Sequence, residues 1–241
     1  MKKSIFITTV ALVFAVASVG SASPLSDFST GKASIDLNVR SGGDIEVSAE
    51  GDSVTGDAKD CNFEGTITYG LGNNFAIQYR NTTGDSKKYN GTVYYDSYVL
   101  DGNINGTSKA QEFNVLYTLN KNFIAYVGWT QAKAGFDASG TVNGAPASIS
   151  MSGNNTNGYQ VGLTGVTNFG AGFNGYATVA AGNHITNYEI GVGYEIAKNC
   201  ELNIGYKDTK YKDLSISYGG YSYSGYDYEF KGMTYGATYK F

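Results

Sequence analysis

The 241-residue sequence predicts an all-β fold, a closed antiparallel up-and-down β-barrel of about ten strands that crosses a membrane. Three observations lead there. Beyond the N-terminus no apolar run is long enough for a spanning helix. Apolar and polar residues instead alternate with a period of two, segment after segment. The connections between these segments alternate between short and long.

The N-terminus reads as a leader. Lys2 and Lys3 form a basic head, an apolar stretch runs from Ile5 to Val19, and Gly20 and Ala22 have the small-residue spacing of a cleavage site. Thr8 and Thr9 interrupt the stretch, which is shorter than the roughly 20 residues of a spanning helix. Cleavage after Ala22 leaves 23–241 as a single barrel domain. The full sequence has 33 Gly, 21 Tyr and only 2 Pro, and beyond the leader it is poor in helix formers and rich in residues that suit a pleated surface.

Net charge is −4 with no basic cluster, which argues against nucleic acid as a partner. Cys61 and Cys200 fall at opposite ends of the predicted barrel and read as free thiols. Neither has the neighbours of a metal site, and no motif asks for a cofactor.

The strands follow in order. Ile35, Leu37 and Val39 alternate with Asp36, Asn38 and Arg40; Phe63, Ile67 and Tyr69 alternate with Glu64, Thr66 and Thr68. Phe75, Ile77 and Tyr79 oppose Gln78 and Arg80, and Phe113, Val115, Tyr117 and Leu119 oppose Glu112 and Asn114. Phe123, Ala125, Val127 and Trp129 share the next face. Tyr159, Val161 and Leu163 follow, then Phe173, Ala177 and Val179. Tyr188, Ile190, Val192 and Tyr194 oppose Glu189 and Glu195; Leu202, Ile204 and Tyr206 oppose Asn203 and Lys207. Met233, Tyr235, Ala237, Tyr239 and Phe241 close the series, an even number of strands.

Short joins fall near 70–74, 120–122, 168–172 and 197–199, whereas 41–60, 82–109, 133–157 and 208–227 read as long polar loops. That asymmetry matches an outer-membrane barrel, with turns in the periplasm and loops outside. The apolar faces are almost free of charge and aromatics gather at both strand ends, so these faces are assigned to lipid. Hydrocarbon tolerates no unpaired backbone, so the sheet must close.

The last residues are specific. Gly236, Tyr239 and Phe241 within Thr234 to Phe241 resemble the terminal β-signal of outer-membrane proteins, and the whole mature chain resembles the small barrels of the OmpA-like and opacity-porin-like superfamily. The resemblance implies a bacterial outer-membrane location, contact with outer-membrane lipid and recognition by the barrel-assembly machinery. It implies no catalytic or ligand residue.

The polar faces point inward and place Asp36, Arg40, Glu64, Arg80, Glu112, Glu189, Glu195 and Lys207 in the lumen. A barrel of this size has little room beyond its own side chains, so paired charges filling the interior are expected over an ion pathway. His184, the only histidine, lies in the one short outer loop with no acidic residue adjacent in sequence. General-base chemistry needs a positioned partner. Tyr94, Tyr95, Tyr98, Tyr218, Tyr221, Tyr223 and Tyr226 sit among Ser and Gly, either as hairpins that extend the wall or as a surface for an extracellular partner. The expectation is a non-enzymatic protein with a structural, surface-contact or adhesive role. The alternatives are a narrow diffusion pore and a rim enzyme centred on His184.

Overall fold

The computed structural model describes residues 24–95, 98–218 and 221–241; of 93–95, 98, 100, 218 and 221 it describes the backbone only. The leader read at 1–22 lies outside the described residues. Each alternating segment becomes a strand. The first seven are β1 (Ala33–Ala49), β2 (Asp52–Asp57), β3 (Asn62–Gly72), β4 (Phe75–Thr83), β5 (Tyr89–Tyr95), β6 (Tyr98–Asn120) and β7 (Phe123–Val142). Then come β8 (Ala145–Gly153), β9 (Thr156–Gly170), β10 (Phe173–Gly182), β11 (Ile185–Ala197), β12 (Cys200–Tyr218) and β13 (Tyr221–Lys240).

Ten of them form a ring. Antiparallel ladders join β1 to β3, β3 to β4, β4 to β6 and β6 to β7. They continue from β7 through β9, β10, β11 and β12 to β13. β13 then pairs with β1, for instance Ile35 with Tyr239 and Leu37 with Ala237, and the ring closes. Closure leaves the spanning sheet no free edge.

β2, β5 and β8 are additional strands that pair only with the upper parts of β1, β6 and β7, with a short contact between β8 and β12. The stretches 41–60, 82–109, 133–157 and 208–227, expected to be loops, are therefore largely β-structure. The correction has a plain cause. Backbone pairing continues past the membrane wherever two chains stay adjacent, and Ser, Thr and Gly alternate with apolar residues as readily as lipid-facing strands do.

At the opposite end the joins tighten to two residues. Asn73 and Asn74 have φ of 52° and 69°, and Ala171 and Gly172 have 52° and 83°. Positive φ at both positions is what the type I′ hairpin turn requires. The tips of two long hairpins, Glu50–Gly51 and Asn143–Gly144, use the same device. Proteinase K added to intact cells should therefore cut at the Asn143–Gly144 tip and leave the Asn73–Asn74 turn whole. Peptide mapping that found the reverse would invert the orientation.

The apolar faces point out. Leu37, Phe63, Ile67, Ile77, Phe113, Val127, Val161, Val192 and Ile204 are all exposed. Ringing this band are tilted aromatic pairs: Phe75 with Tyr117 at 4.8 Å and Phe173 with Tyr194 at 4.7 Å at the short-turn end, and Tyr79 with Phe113 at 4.8 Å toward the other.

Above the band the parity changes. Gly42, at φ 64°, forms a bulge between Ser41 and Asp44, where a Cβ on Gly43 would run into the Lys231 carbonyl. One extra residue turns Ile45 and Val47 inward, although Ile35, Leu37 and Val39 face out.

Candidate functional site: a filled lumen beneath an extramembrane sheet

The interior is stacked in three layers. At the short-turn end, the segment before β1 folds under the mouth. Phe28 accepts a hydrogen bond from the Gly72 amide at 2.8 Å, and Lys32 accepts one from the Gly70 amide at 2.7 Å. Leu25 and Phe28 are buried there against Ala76, Leu116, Ile124 and Val166. Asp27 anchors the bend: the Ser29 hydroxyl and amide both donate to its carboxylate, which holds its pKa below the ordinary value.

The middle layer is ionic, because alternate residues of the spanning strands carry charge where their neighbours carry apolar groups. Glu64 sits at its centre. Lys207 Nζ lies 2.6 Å from it, Arg40 3.4 Å and Arg80 3.7 Å, and the Thr82 hydroxyl donates at 3.3 Å. Lys207 also reaches Glu189 at 3.5 Å, and Arg80 reaches Glu112 at 3.7 Å. Gln160 donates to both Glu112 and Asn114 at 2.9 Å, and the Tyr176 hydroxyl donates to Glu189. Arg40, Glu64, Glu112 and Lys207 are all buried. Asp36 stands apart, accepting from the Thr238 hydroxyl at 2.6 Å. A polar cavity of about 60 Å³ lies beside Asp36, Arg80 and Glu189.

The top layer is apolar. Ile45, Ile185, Tyr211, Leu214, Tyr226, Tyr228 and Phe230 are buried together. Arg40 ties it to the charges below: its guanidinium donates to the Phe230 carbonyl at 2.8 Å and lies 4.2 Å from that ring's centroid. The Tyr228 hydroxyl donates to Gly84 at 2.5 Å and that of Tyr226 to Ala134 at 2.6 Å.

Two charges differ from the reading of the sequence. Glu195, expected in the lumen, is exposed beside the turn at 198–199. Glu201, its register partner, is buried instead and takes Lys240 at 2.9 Å and Asn174 at 3.1 Å. Its signal was available, since Glu201, Asn203, Gly205 and Lys207 share one parity. Leu25, Phe28 and the role of the segment 24–32 carried no periodic signal at all.

Above the membrane β5, β6, β7 and β8 form a four-stranded sheet with two unlike faces. Asn103 receives a hydrogen bond from Ser139 at 3.2 Å, Asp101 from Thr92 at 3.1 Å and Asp137 from Ser150 at 2.7 Å on the polar one. Opposite, Gly91, Gly102, Gly140 and Ala147 stand in one register row, beside the row Tyr89, Ile104, Ala138 and Ile149. This apolar face bounds a hollow of about 450 Å³. It continues the lumen side, because a Cβ on Gly106 would point at the inward ring of Tyr228. Of the loop tyrosines, Tyr223 is exposed and Tyr226 buried; the side chains of Tyr94, Tyr95, Tyr98, Tyr218 and Tyr221 lie outside the described ones.

His184, in the tight join between β10 and β11, has Nδ1 3.4 Å from Asp213 Oδ2. No local feature of the sequence points to this partner, which a bulge in β12 delivers with Asp213 at φ 55°. At the seam, Tyr239 and Phe241 are exposed, edge to face at 4.8 Å. A Cβ on Gly236 would strike Asn38 and the Leu37 carbonyl, so only glycine lets β13 approach β1 this closely. Cys61 is exposed at the long-hairpin end and Cys200 sits at the opposite turn, both as free thiols. Among the described residues no cluster of His, Cys, Asp and Glu has a metal-binding arrangement.

A closed antiparallel ring with an apolar exterior, aromatic girdles, two-residue turns at one end and long hairpins at the other defines an integral β-barrel protein of a bacterial outer membrane. No protein-family model matches the chain, and no curated protein does. Among solved structures, the outer membrane protease OmpT from Escherichia coli is similar over 87% of this chain and 96% of its own, with 13% identity and a TM-score of 0.47. The attachment invasion locus protein Ail of Yersinia pestis, solved with the heparin analogue sucrose octasulfate, is similar over 88% of this chain and 99% of its own, with 14% identity and a TM-score of 0.41. Neisserial surface protein A is similar over 87% and 96%, with 12% identity and a TM-score of 0.35.

Proposed function

We propose that this outer-membrane barrel is a non-enzymatic anchor that displays its extended hairpins for contact at the cell surface, and that it does not conduct. The observation that carries the reading is the filled lumen. Mutually paired charges lie between two apolar layers, and the polar cavity beside them is only about 60 Å³. What projects into the medium is the four-stranded sheet of β5–β8, with its apolar hollow available to an extracellular partner. In planar bilayers the protein should show no steady current at neutral pH. A stable, ion-selective conductance would replace this reading with that of a narrow pore.

A second reading rests on the proximity of His184 to Asp213: Nδ1 lies 3.4 Å from the carboxylate without a hydrogen bond between them, close enough to be drawn into an acid–base pair when substrate binds. Hydrolysis of peptide or lipid substrates by the purified barrel, lost in His184→Ala, would establish it.

We also infer that the assembly machinery reads Gly236, Tyr239 and Phe241. The two rings face lipid at the closing strand, where a docking partner meets them before β1 and β13 join. Removing Phe241 together with Tyr239→Ala should cut the yield of heat-modifiable barrel in cells, yet leave refolding from urea into detergent intact. Normal cellular yield would remove the signal.

A further inference from the structure

We propose that Lys109 and Lys133 form a binding site for the phosphate of an outer-leaflet lipid headgroup. The ladder between β6 and β7 reads outward from the hydrocarbon as Val115 with Val127, Phe113 with Trp129, Gln111 with Gln131, and then Lys109 with Lys133. Both lysines are exposed, and their neighbours Ser108, Ala110, Ala132 and Ala134 are buried, so the pair lies on the lipid-facing side of the wall. Four residues of strand separate it from the aromatic girdle. At the rise of a strand and the usual tilt that is roughly 9–11 Å of height, the depth of lipid headgroups.

Two like charges directly across a ladder repel each other. Lys59, Lys87, Lys210 and Lys231 each have a carboxylate partner (Asp85, Asp60, Asp227 and Glu229), whereas Lys109 and Lys133 face one another across the ladder. Among the described residues Lys109 and Lys133 have no ion pair. They line a hollow of about 200 Å³ that also takes in Thr107 and Ser152. Asp137, at its edge, is engaged by the Ser150 hydroxyl at 2.7 Å. Two unpaired ammonium groups and nearby hydroxyls, held at headgroup depth, complement a doubly charged phosphate monoester.

The test is native mass spectrometry of the whole barrel in a zwitterionic detergent, titrated with bisphosphorylated lipid A. The Lys109→Gln, Lys133→Gln double variant should bind at least fivefold more weakly. A control with the same charge change, Lys59→Gln with Lys87→Gln, should bind as the wild type does. Lys109→Arg should retain binding, and heat-modifiability confirms that each variant is folded. Lipid A stripped of phosphate should bind the wild type no better than the lipid binds the double variant. Unchanged binding by the double variant overturns the site, as does an equal loss in the control. Displacement of lipid A by an equal concentration of inorganic phosphate would make it a site for the free ion and overturn the lipid assignment.

Discussion

Glu64→Gln should destabilise the barrel by about 3–5 kcal/mol, the usual cost of stripping a buried ion pair of one partner. Gln keeps the size of the side chain and an oxygen for Thr82, so the loss is one of charge. Lys207, 2.6 Å away, and Arg40, 3.4 Å away, are both buried, so bulk solvent does not take the place of the carboxylate. Glu189 and Glu112 still hold Lys207 and Arg80, at 3.5 and 3.7 Å, but Arg40 is left with the Phe230 carbonyl and ring. Reversible urea unfolding in lipid vesicles reads the difference. Lys59→Gln is the comparison, since that pair with Asp85 is solvent-exposed and worth at most about 1 kcal/mol. Equal losses from the two variants would mean that the central charges do not act as a buried network.

Val192→Arg should cost about 2–4 kcal/mol in the same assay, the penalty for a cation on the lipid face near the bilayer midplane. Val192 is exposed on β11 between Tyr188 and Tyr194, and its register partners are Gly175 and Ile204. None of these offers a counter-charge. Gln78→Arg on the polar face should be milder, because Thr68 and Asn114 already hydrogen-bond that side chain and the small polar cavity adjoins it. Arg80 shares that cavity, so the margin is set by repulsion between two guanidiniums. A greater loss at Gln78 than at Val192 would contradict the assignment of faces.

The spanning part of the fold was legible because lipid imposes a rule that sequence can display. Ile35, Leu37 and Val39 cannot alternate with Asp36, Asn38 and Arg40 for long unless two different media lie on the two sides. The extramembrane strands were not legible for the converse reason. Water accepts polar loops and polar hairpins alike, so composition at 133–157 does not separate them. Bulges hid more. Nothing local announces that Ile45 turns inward after Gly42, or that Asp213 bends toward His184 from another strand. Parity picks out Arg40, Glu64, Arg80 and Lys207 one by one, though not Glu201, but their convergence on Glu64 joins β1, β3, β4 and β12, a fact of ring closure and stagger that no single segment contains.

The unlike faces of the outer sheet bear on life in a crowded membrane. A neighbouring protein that drifts alongside meets Asp101, Asn103, Asp137 and Ser139, a hydrated and partly anionic flank that gives it little reason to stay. The row of Tyr89, Ile104, Ala138 and Ile149 is turned toward the barrel axis and is reached from above. Lateral collisions in the plane of the bilayer and encounters from the medium are thus sorted by direction. The chain keeps an apolar surface in open water without its becoming a seam for two-dimensional aggregation.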